Sequence, residues 1–475
     1  MGRKLYPGPK LRRYREQLGM AQNDFADTLG ISASYLNQIE NNQRPLTASV
    51  LLKLTNSFDV DLQTFSDEQD DRLAAELREA TGDPLLQGMP LDLRELKDVV
   101  AVSPAMVKAF LTLYRAYQES DTSYRNLAEE LREGEAISAL SGAQFPYEEV
   151  RDYFYLRNNH IEELDQAAEQ LYSAKGFRVG NAEKDLIRFL SEEHGISCVL
   201  TNERGTSGEV RHFDPKTSTL YLCEAQTSAR RAFQIAYQIG LVQFGNEIKD
   251  LIQRASFASR ETESVCRIGL ANYFAGALIM PYNLFLAEAK RCKYDVEKLE
   301  LRFGSTFEAV CHRLSTLQRP GAKGVPFYFV RVDMAGNISK RQSATVFNFA
   351  RSGGACPLWN VHEAFSSPGR ILTQIARMPD GQTYFCIART VTKRGGGYLD
   401  PVRKFAVGLG CQAQYAKELV YSAGVDLDND EAVVPIGPGC RVCERRDCPQ
   451  RAFPPVGRRL DVDENRRGFK PYSFA

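Results

Sequence analysis

The sequence predicts a multidomain α+β protein with an all-α N-terminal head, a mainly helical middle domain and a β-rich C-terminal domain that carries a cysteine-bound metal centre. The length of 475 residues is enough for about three domains. Helical apolar spacing dominates the chain up to Arg319-Pro320-Gly321, and alternating runs such as VPFYFVRVD follow. Three cysteines cluster near the C-terminus, which supplies the expected metal centre.

The composition is that of an ordinary folded protein. Hydrophobic residues make up 43% and charged residues 25%, which excludes wholesale disorder and a disulfide-dense secreted module. Sixty basic and sixty acidic residues cancel, so a nucleic-acid or membrane partner has to be met by a local patch. Residues 1–15 form one such patch, because they carry several basic residues and no acid until Glu16.

The sequence favours a cytoplasmic location. No apolar run follows the basic N-terminus, so we expect no secretory signal, and the odd count of 11 cysteines favours reduced thiols. The uncharged stretch 268–287 has the length of a membrane span, but Met280-Pro281 stops any helix near its end. We therefore expect a buried helix followed by a loop, and no membrane partner.

The first two segments are predicted to be helical. Residues 1–65 are expected to hold five short helices, with Gly30 ending the second and Ser32 capping the third. Residues 66–144 read as an acidic linker with one short amphipathic helix, followed by a long helical pattern over Ser103–Glu130. The exposed apolar positions of that helix suit either a dimer contact or packing within their own domain.

Three further segments complete the chain. Residues 145–320 are predicted to hold a helix over 145–175, strands near Cys198–Leu200 and Leu220–Cys223, and three helices up to Leu317. Residues 321–436 form the β-rich domain, which we expect to be sensor-like. Residues 437–475 are an irregular, basic tail with the cysteine cluster.

The segment AQNDFADTLGISASYLNQIENNQRP has the pattern of two short helices joined through a glycine. It resembles the Xre/Cro-like repressor family, whose lambda-repressor-like head places the second helix in the major groove. That resemblance implies a phosphate contact for Gln22, an ion pair between Arg15 and Glu40, and a pairing of Gln38 with adenine. The predicted DNA-binding residues are Gln22, Ala33, Ser34, Tyr35, Asn37, Gln38, Asn42 and Arg44. The alternative is a helical hairpin unrelated to DNA.

The runs RRAFQIAYQIGLVQF and ANYFAGALIMP resemble the ImmA/IrrE-type metallopeptidase domain. In that family the first run carries His-Glu-x-x-His, which binds zinc and activates water. Tyr237, Gln238 and Leu241 stand at those positions here, and they cannot supply this chemistry. The resemblance therefore implies a pseudo-peptidase whose cleft is a ligand pocket, with a plain structural spacer as the alternative.

The order of head, pseudo-peptidase, RDYFYLRNN, RSGGACPLWNVHEAF and GCRVCERRDCPQRAFPP resembles the bacterial short-chain fatty acyl-CoA responsive transcriptional regulators. This family resemblance implies an acyl-CoA effector such as propionyl-CoA or acetyl-CoA. Coenzyme A needs cations for its phosphates and amides or aromatic rings along its arm. The candidate ligand-binding residues are Arg151, Tyr153, Tyr155, Arg157, Asn158, Asn159, Arg230, Arg231 and Tyr237, with Lys175 and Arg178 as further cations. A solvated helix surface or an ordinary core explains the same residue types equally well.

Cys440, Cys443 and Cys448 follow the spacing C-x-x-C-x-x-x-x-C, which suits one metal centre. Cys411 in GLGCQ is the preferred fourth ligand, with Cys356 in GGACP as the alternative. Spacing alone leaves zinc and a [4Fe-4S] cluster open, and the family resemblance and the Cys-Pro ending favour the cluster. A redox-sensitive loop without metal is the remaining possibility.

Together these features predict a ligand-responsive transcriptional regulator and not an enzyme. It is expected to bind double-stranded operator DNA as a homodimer or higher homo-oligomer, because such heads read half-sites about 34 Å apart. An iron-sulfur redox-sensing transcription factor is one rival hypothesis. A protease-type antirepressor is another, and the missing His-Glu-x-x-His counts against it.

Overall fold

A computed structural model describes residues 8–41, 43–58, 68–83, 86, 92–133, 146–201, 210–345, 347, 355–393, 402–440, 443–455, 460–461, 465 and 473–474. The chain divides into two compact units. The first comprises residues 1–142 and 456–459, and the second comprises residues 143–455 and 460–475. Each unit has its own hydrophobic core.

The head of the first unit is helical, as predicted. Its helices are α1 (Gly8–Gln17), α2 (Gln22–Thr28), α3 (Ala33–Glu40) and α4 (Ala48–Phe58). Gly30 ends the α2 segment with a φ of 58°, and the Ser32 hydroxyl accepts a hydrogen bond from the backbone N–H of Tyr35, so both predicted helix signals are confirmed. Five helices were predicted up to residue 65, and residues 59–65 lie outside the described residues.

The segment predicted to be an acidic linker with one short helix holds two helices in the part that the structure describes, one more than predicted. Two helices, α5 (Glu68–Thr81) and α6 (Leu93–Val102), pack with α7 (Pro104–Glu133) around a small core. The Asp92 and Glu95 side chains form a capping box that fixes the start of α6. Acidic residues therefore begin and cover these helices instead of marking an unstructured segment. The long helix predicted over Ser103–Glu130 is confirmed.

The second unit begins with nine helices among its described residues. They are α8 (Pro146–Leu156), α9 (Glu162–Lys175), α10 (Ala182–His194), α11 (Ser228–Gln243), α12 (Gly245–Ala255), α13 (Arg260–Ile279), α14 (Tyr282–Arg291), α15 (Val296–Phe303) and α16 (Phe307–Leu314). The single helix predicted over 145–175 is wrong, because Asn158 and Asn159 take positive φ angles of 50° and 58° and separate α8 from α9. Only three helices were predicted before Leu317, where α11 to α16 are six.

The uncharged stretch begins as a buried helix that ends at Ile279, before Pro281, as predicted. The loop predicted after it is wrong, because α14 begins at Tyr282. Among the described residues, no single helix has both the length and the apolar character needed to cross a bilayer. Helices α13 and α14 meet that test only together, and they bend by 61° where they join.

A small sheet lies between α10 and α11 in the chain. It consists of β1 (Ser197–Thr201), β2 (Arg211–Asp214) and β3 (Thr219–Cys223), in the order β1-β3-β2. Strand β3 pairs parallel with β1 and antiparallel with β2. The first and third strands were predicted, whereas β2 was not.

The C-terminal region is built on a six-stranded sheet of order β5-β4-β8-β7-β6-β9. Its strands are β4 (Tyr328–Asp333), β5 (Ile338–Ser343), β6 (Leu372–Arg377), β7 (Thr383–Lys393), β8 (Arg403–Gln412) and β9 (Val434–Pro435). A short helix, α17 (Asn360–Glu363), packs on one face, and β10 (Leu460–Asp461) pairs with β11 (Ser473–Phe474). The β-rich region is thus confirmed.

The helical and β-rich parts of this unit share one core. Side chains from one face of the sheet, including Phe329, Phe385 and Leu409, belong to the same apolar cluster as α9, α11 and α13. The opposite face packs around Tyr328, Trp359 and α17. The two regions therefore depend on each other for burial of apolar surface.

A buried polar cluster closes the turn between α8 and α9. Arg313 donates a hydrogen bond of 2.6 Å to the Asp165 carboxylate, and Tyr273 donates a second of 2.5 Å. His160 Nδ1 lies 3.0 Å from the same carboxylate. The Tyr273 hydroxyl also accepts a hydrogen bond from the backbone N–H of Ile161. Asp165 therefore connects the turn to α9, α13 and α16.

Asp165 remains ionised in this environment. Burial raises its pKa, but Arg313, His160 and Tyr273 outweigh that effect and hold the pKa below the ordinary value. The Arg313 guanidinium also donates to the carbonyl of Met280. Asp165 is fully buried and Arg313 is 2% exposed, so neither charge has water as an alternative partner.

We predict that Arg313→Met lowers the free energy of unfolding by about 3 to 5 kcal/mol, because it leaves the buried Asp165 carboxylate without its cation. The measurement is denaturant unfolding of the full chain followed by circular dichroism. Arg291→Met is the matched control, since its pair with Glu288 lies at the surface and should change stability by less than about 1 kcal/mol. Equal, small effects of both substitutions would contradict this role of the pair.

Candidate functional site

In the head, the short helix α3 packs one side against the hydrophobic core and exposes the other. Leu36 and Ile39 on α3 are buried, whereas Ser34 and Asn37 are exposed and Gln38 is half-buried. Of the other predicted contact residues, Ala33 and Tyr35 are half-buried and Arg44 is exposed, with its guanidinium 5.8 Å from the Tyr35 ring centroid. Asn42 lies outside the described residues. The described polar side chains are thus available on one side of α3.

A polar network fixes α3 against α1 and α2. Arg15 Nε lies 2.8 Å from a Glu40 carboxylate oxygen, so the predicted inter-helix ion pair is present. The Gln22 amide donates to the other Glu40 oxygen at 2.8 Å and to Asn37 Oδ1 at 3.4 Å. Ala21, at the N-cap position of α2, provides no side-chain cap. The network sets the orientation of α3 and of the Gln22 side chain.

The positions of the absent zinc motif lie on α11. Tyr237 is 8% exposed and Gln238 is 3% exposed, and Leu241 is half-buried. Arg211 on β2 donates a hydrogen bond to Gln238, and its guanidinium lies 4.4 Å from the Tyr237 ring centroid. Burial lowers the pKa of Arg211. A guanidinium of the chain itself therefore lies against the first two positions of the motif.

Several predicted ligand-binding residues meet at the turn between α8 and α9. Tyr153 is buried beside Phe154 and Phe257, and the Arg157 guanidinium lies 3.9 Å from its ring centroid. Burial raises the pKa of Tyr153 to about 12. Within the described part of the chain, the Tyr153 hydroxyl and the Asn159 amide nitrogen are buried without a hydrogen-bond partner. Such groups are costly unless a ligand or water satisfies them.

The remaining predicted cations are elsewhere or already paired. Arg231 on α11 lies 2.5 Å from Glu183, and Arg151 lies 3.3 Å from Glu148. Arg230 donates to the carbonyl of Thr392 at 3.4 Å. Tyr155 is half-buried on α8, and Asn158 is exposed in the turn. Arg230, Arg231 and Tyr237 thus contact Thr392, Glu183 and Arg211, whereas Tyr153 and Arg157 contact each other.

A small hollow of about 10 Å³, enough for one water molecule, lies between α9, α10 and α13. Its walls are mostly apolar, and Arg178 lies among the lining residues with its guanidinium 2.9 Å from Asp185. The full lining is Tyr172, Phe177, Arg178, Gly180, Ala182, Leu186, Leu278 and Ile279. The sequence offered Arg178 as one cation among several, and gave no signal for the hollow because its walls come from three separate segments.

The tail cysteines lie near the face of the large sheet that carries α17. Cys443 and Cys448 are buried, and a Cβ on Gly437 would lie 2.7 Å from the Cys443 sulfur. Burial raises the pKa of Cys356, and the neighbouring Cys443 and Cys440 thiols raise it further. Among the described residues, no group of three or more His, Cys, Asp or Glu side chains is arranged to hold a metal ion.

Cys411 lies on the other face of that sheet. It sits on β8 within the core shared with the helices, whereas Cys356 belongs to the cluster around Trp359. Burial raises the pKa of the Cys411 thiol well above its ordinary value. The structure therefore separates Cys411 from the tail cysteines and places the alternative, Cys356, beside them.

Family models match three parts of the chain. A model described as short-chain fatty acyl coenzyme A regulator, C-terminal, matches residues 316–472. An IrrE N-terminal-like domain model matches residues 191–315, and a helix-turn-helix model matches residues 11–65.

Relatives match along almost the whole length. The HTH-type transcriptional regulator RamB of Mycobacterium tuberculosis is 45% identical and covers 99% of this chain and 98% of its own. The HTH-type transcriptional regulator PrpR of that organism is also 45% identical, over 98% and 96%. The propionyl-CoA carboxylase regulator of Cereibacter sphaeroides is 43% identical over 100% of both chains. A solved Mycobacterium tuberculosis transcriptional regulator is 50% identical, with a TM-score of 0.67, over 69% of this chain and 99% of that one.

We predict that Gln38→Ala lowers discrimination between a specific duplex and a scrambled one by about 1 to 3 kcal/mol, because it removes an amide suited to pair with adenine. Salt-sensitive binding to the scrambled duplex should persist. The measurement is fluorescence anisotropy with a duplex that the full-length protein selects from a random pool. Asn23→Ala, an exposed change on α2, is the matched control. If the Gln38 variant discriminates between the two duplexes as well as the wild type does, this side chain does not recognise a base.

Proposed function

The chain belongs to the family of helix-turn-helix transcriptional regulators that carry a short-chain fatty acyl coenzyme A regulator domain, and we propose that it binds operator DNA with an affinity set by a short-chain acyl-CoA. Propionyl-CoA and acetyl-CoA are the proposed effectors. The observation that carries the proposal is a pair of buried polar groups without partners at the turn between α8 and α9. The proposed regulator acts as a homodimer or higher homo-oligomer.

The proposed DNA contacts lie in the head. The exposed side of α3 supplies Ser34, Asn37 and Gln38 for the base edges, with Ala33 and Tyr35 for apolar contact. Gln22 is positioned by Glu40 and is suited to a phosphate, as are Arg44 and the predicted contact Asn42. An eight-residue helix of this kind spans only part of one major groove, which supports binding to two half-sites.

The proposed effector contacts lie in the helical part of the second unit. A pantetheine arm has amides and carbonyls that can pair with the Asn159 amide and the Tyr153 hydroxyl, which are buried and unpaired within the described residues. The exposed Arg157 can supply a cation for a phosphate, and Arg151 can do so by exchanging its Glu148 partner for the phosphate.

A metal centre in the tail is proposed from the spacing of Cys440, Cys443 and Cys448, as a [4Fe-4S] cluster or zinc. Cys356 is a better-placed fourth ligand than Cys411. The described cysteines are not arranged as a closed metal site, so no step of the regulation depends on this centre. If the cluster were the signal, the protein would be a redox sensor, and the acyl-CoA would be incidental.

We predict opposite effects of Tyr153→Phe on binding and on stability. Loss of the hydroxyl should weaken propionyl-CoA binding about three- to tenfold, because a ligand hydrogen bond disappears. Stability without ligand should stay equal or rise, because the substitution removes a buried group that has no partner. Calorimetry with propionyl-CoA and acetyl-CoA, together with thermal unfolding, checks both parts.

Tyr421→Phe is the matched control for this experiment. The Tyr421 hydroxyl accepts a hydrogen bond of 2.8 Å from the backbone N–H of Val296, so its loss should lower stability and leave propionyl-CoA binding unchanged. An absence of binding heat from every acyl-CoA tested would overturn the proposed effector. Binding that is insensitive to Tyr153→Phe would overturn this site alone.

For the tail, we predict that anaerobically purified protein contains about four iron atoms per chain and absorbs visible light. Cys443→Ser should abolish both signals, whereas Cys223→Ser, on β3, should abolish neither. One zinc ion per chain and no visible absorbance would show that the tail binds zinc and not an iron-sulfur cluster. Protein that is free of both metals after anaerobic purification would contradict a metal centre.

A further inference from the structure

Helix α7 has a second apolar face that no described residue of its own unit covers. Its inner face buries Val107 and Leu111 against α5 and α6. On the outer face, Met106 and Leu113 are 68% and 70% exposed, and Val102 at the end of α6 is 68% exposed. Exposed apolar groups gathered on one helix face are unusual in a monomeric protein and mark a contact surface.

Small residues accompany these large ones. Ala105, Ala109 and Ala116 are exposed on α7 and are interleaved with Met106 and Leu113. Alanine has no side chain beyond Cβ, so a second helix can approach the backbone closely along this line. We call the set Val102, Ala105, Met106, Ala109, Leu113 and Ala116 the outer seam. It contains no charged residue.

The spacing along α7 is that of a coiled coil. Met106, Ala109, Leu113 and Ala116 of the outer seam follow one another in steps of three and four residues, which is the heptad pattern of a two-helix seam. The helix has 30 residues, about 45 Å at 1.5 Å per residue. A repeat of 3.5 residues favours pairing with another helix of the same period.

The head is fastened to the start of this seam. The Arg13 guanidinium on α1 donates to the carbonyls of Ala101 and Val102, at 3.2 Å and 2.7 Å, where α6 ends. Two chains joined along α7 would thereby hold their heads at a fixed separation. A head that reads one half-site gains specificity only when a second head is held this way.

We propose that the outer seam pairs with the outer seam of a second copy of this chain and so forms the dimer that binds two half-sites. The seam is self-complementary, because its heptad steps and small residues suit an identical helix, and it has no charge that self-association would bury. The inference rests on the proposed DNA-binding function for its biological use, but its physical content is the α7 contact.

The test uses the full-length chain in sedimentation equilibrium. Leu113→Glu and the double variant Met106→Glu with Leu113→Glu place like charges across the seam and should raise the dimer dissociation constant at least about 100-fold. Lys108→Glu is the matched control, since it adds an acid to the same helix at an exposed position away from the seam, and the dimer should persist. Leu113→Gln repeats the test without a charge and should also weaken the dimer. Helical circular dichroism should be the same in all variants.

Two outcomes would overturn the proposed pairing of two outer seams. A wild-type chain that is monomeric at every concentration tested would mean that another part of the chain or another protein covers this face. A dimer that survives Leu113→Glu would place the self-contact elsewhere. In either case, recovery of a specific duplex from a random pool would leave DNA binding intact. Loss of the dimer in the seam variants, with no specific duplex recovered from the wild type, would support the seam and overturn the proposed function.

Discussion

The ion pair between Asp165 and Arg313 is the constraint on which the larger unit depends. Both side chains are buried, and the carboxylate also accepts a hydrogen bond from Tyr273 and lies beside His160. A buried carboxylate of this kind is tolerated only when its partners are in place, so the pair specifies how the turn meets α9, α13 and α16. The Tyr153 hydroxyl on α8 and the Asn159 amide in the turn itself are the unpaired groups beside this ion pair among the described residues.

The middle part of the same unit matches an IrrE N-terminal-like domain but lacks the residues of the zinc-binding motif. Its relatives are transcriptional regulators, and this chain is a regulator and not an enzyme. Tyr237 and Gln238 stand where a metal ligand and a proton acceptor would be needed, and the Arg211 guanidinium lies against both. The Arg211 guanidinium on β2 donates a hydrogen bond to the Gln238 oxygen and lies over the Tyr237 ring, where the metal family would hold its ion. The proposed effector contacts lie instead on α8 and in the turn that follows it.

Local signals predicted local structure well. Gly30 and Ser32 fix the ends of α2 and α3 through their own backbone and side chain, and the long apolar period gave α7, because such effects act within a few residues. The partners Asp165 and Arg313 are 148 residues apart, and nothing in the spacing of either reveals the other. Cys411 looked close to the tail cysteines in sequence, but strand residues alternate between faces, and its position on β8 turns it to the opposite side. The break at Asn158 and Asn159 was missed because the surrounding residues favour a helix on both sides.

In the proposed regulator, binding of the acyl-CoA effector and binding of operator DNA influence each other within one chain. Operator titrations with and without propionyl-CoA, paired with propionyl-CoA calorimetry on free and operator-bound protein, measure that coupling from both directions. The account predicts that propionyl-CoA changes operator affinity by about fivefold or more, and that operator changes propionyl-CoA affinity by the same factor, as linkage requires. Operator affinity that is identical at zero and at saturating propionyl-CoA, in a protein that binds both, would contradict it.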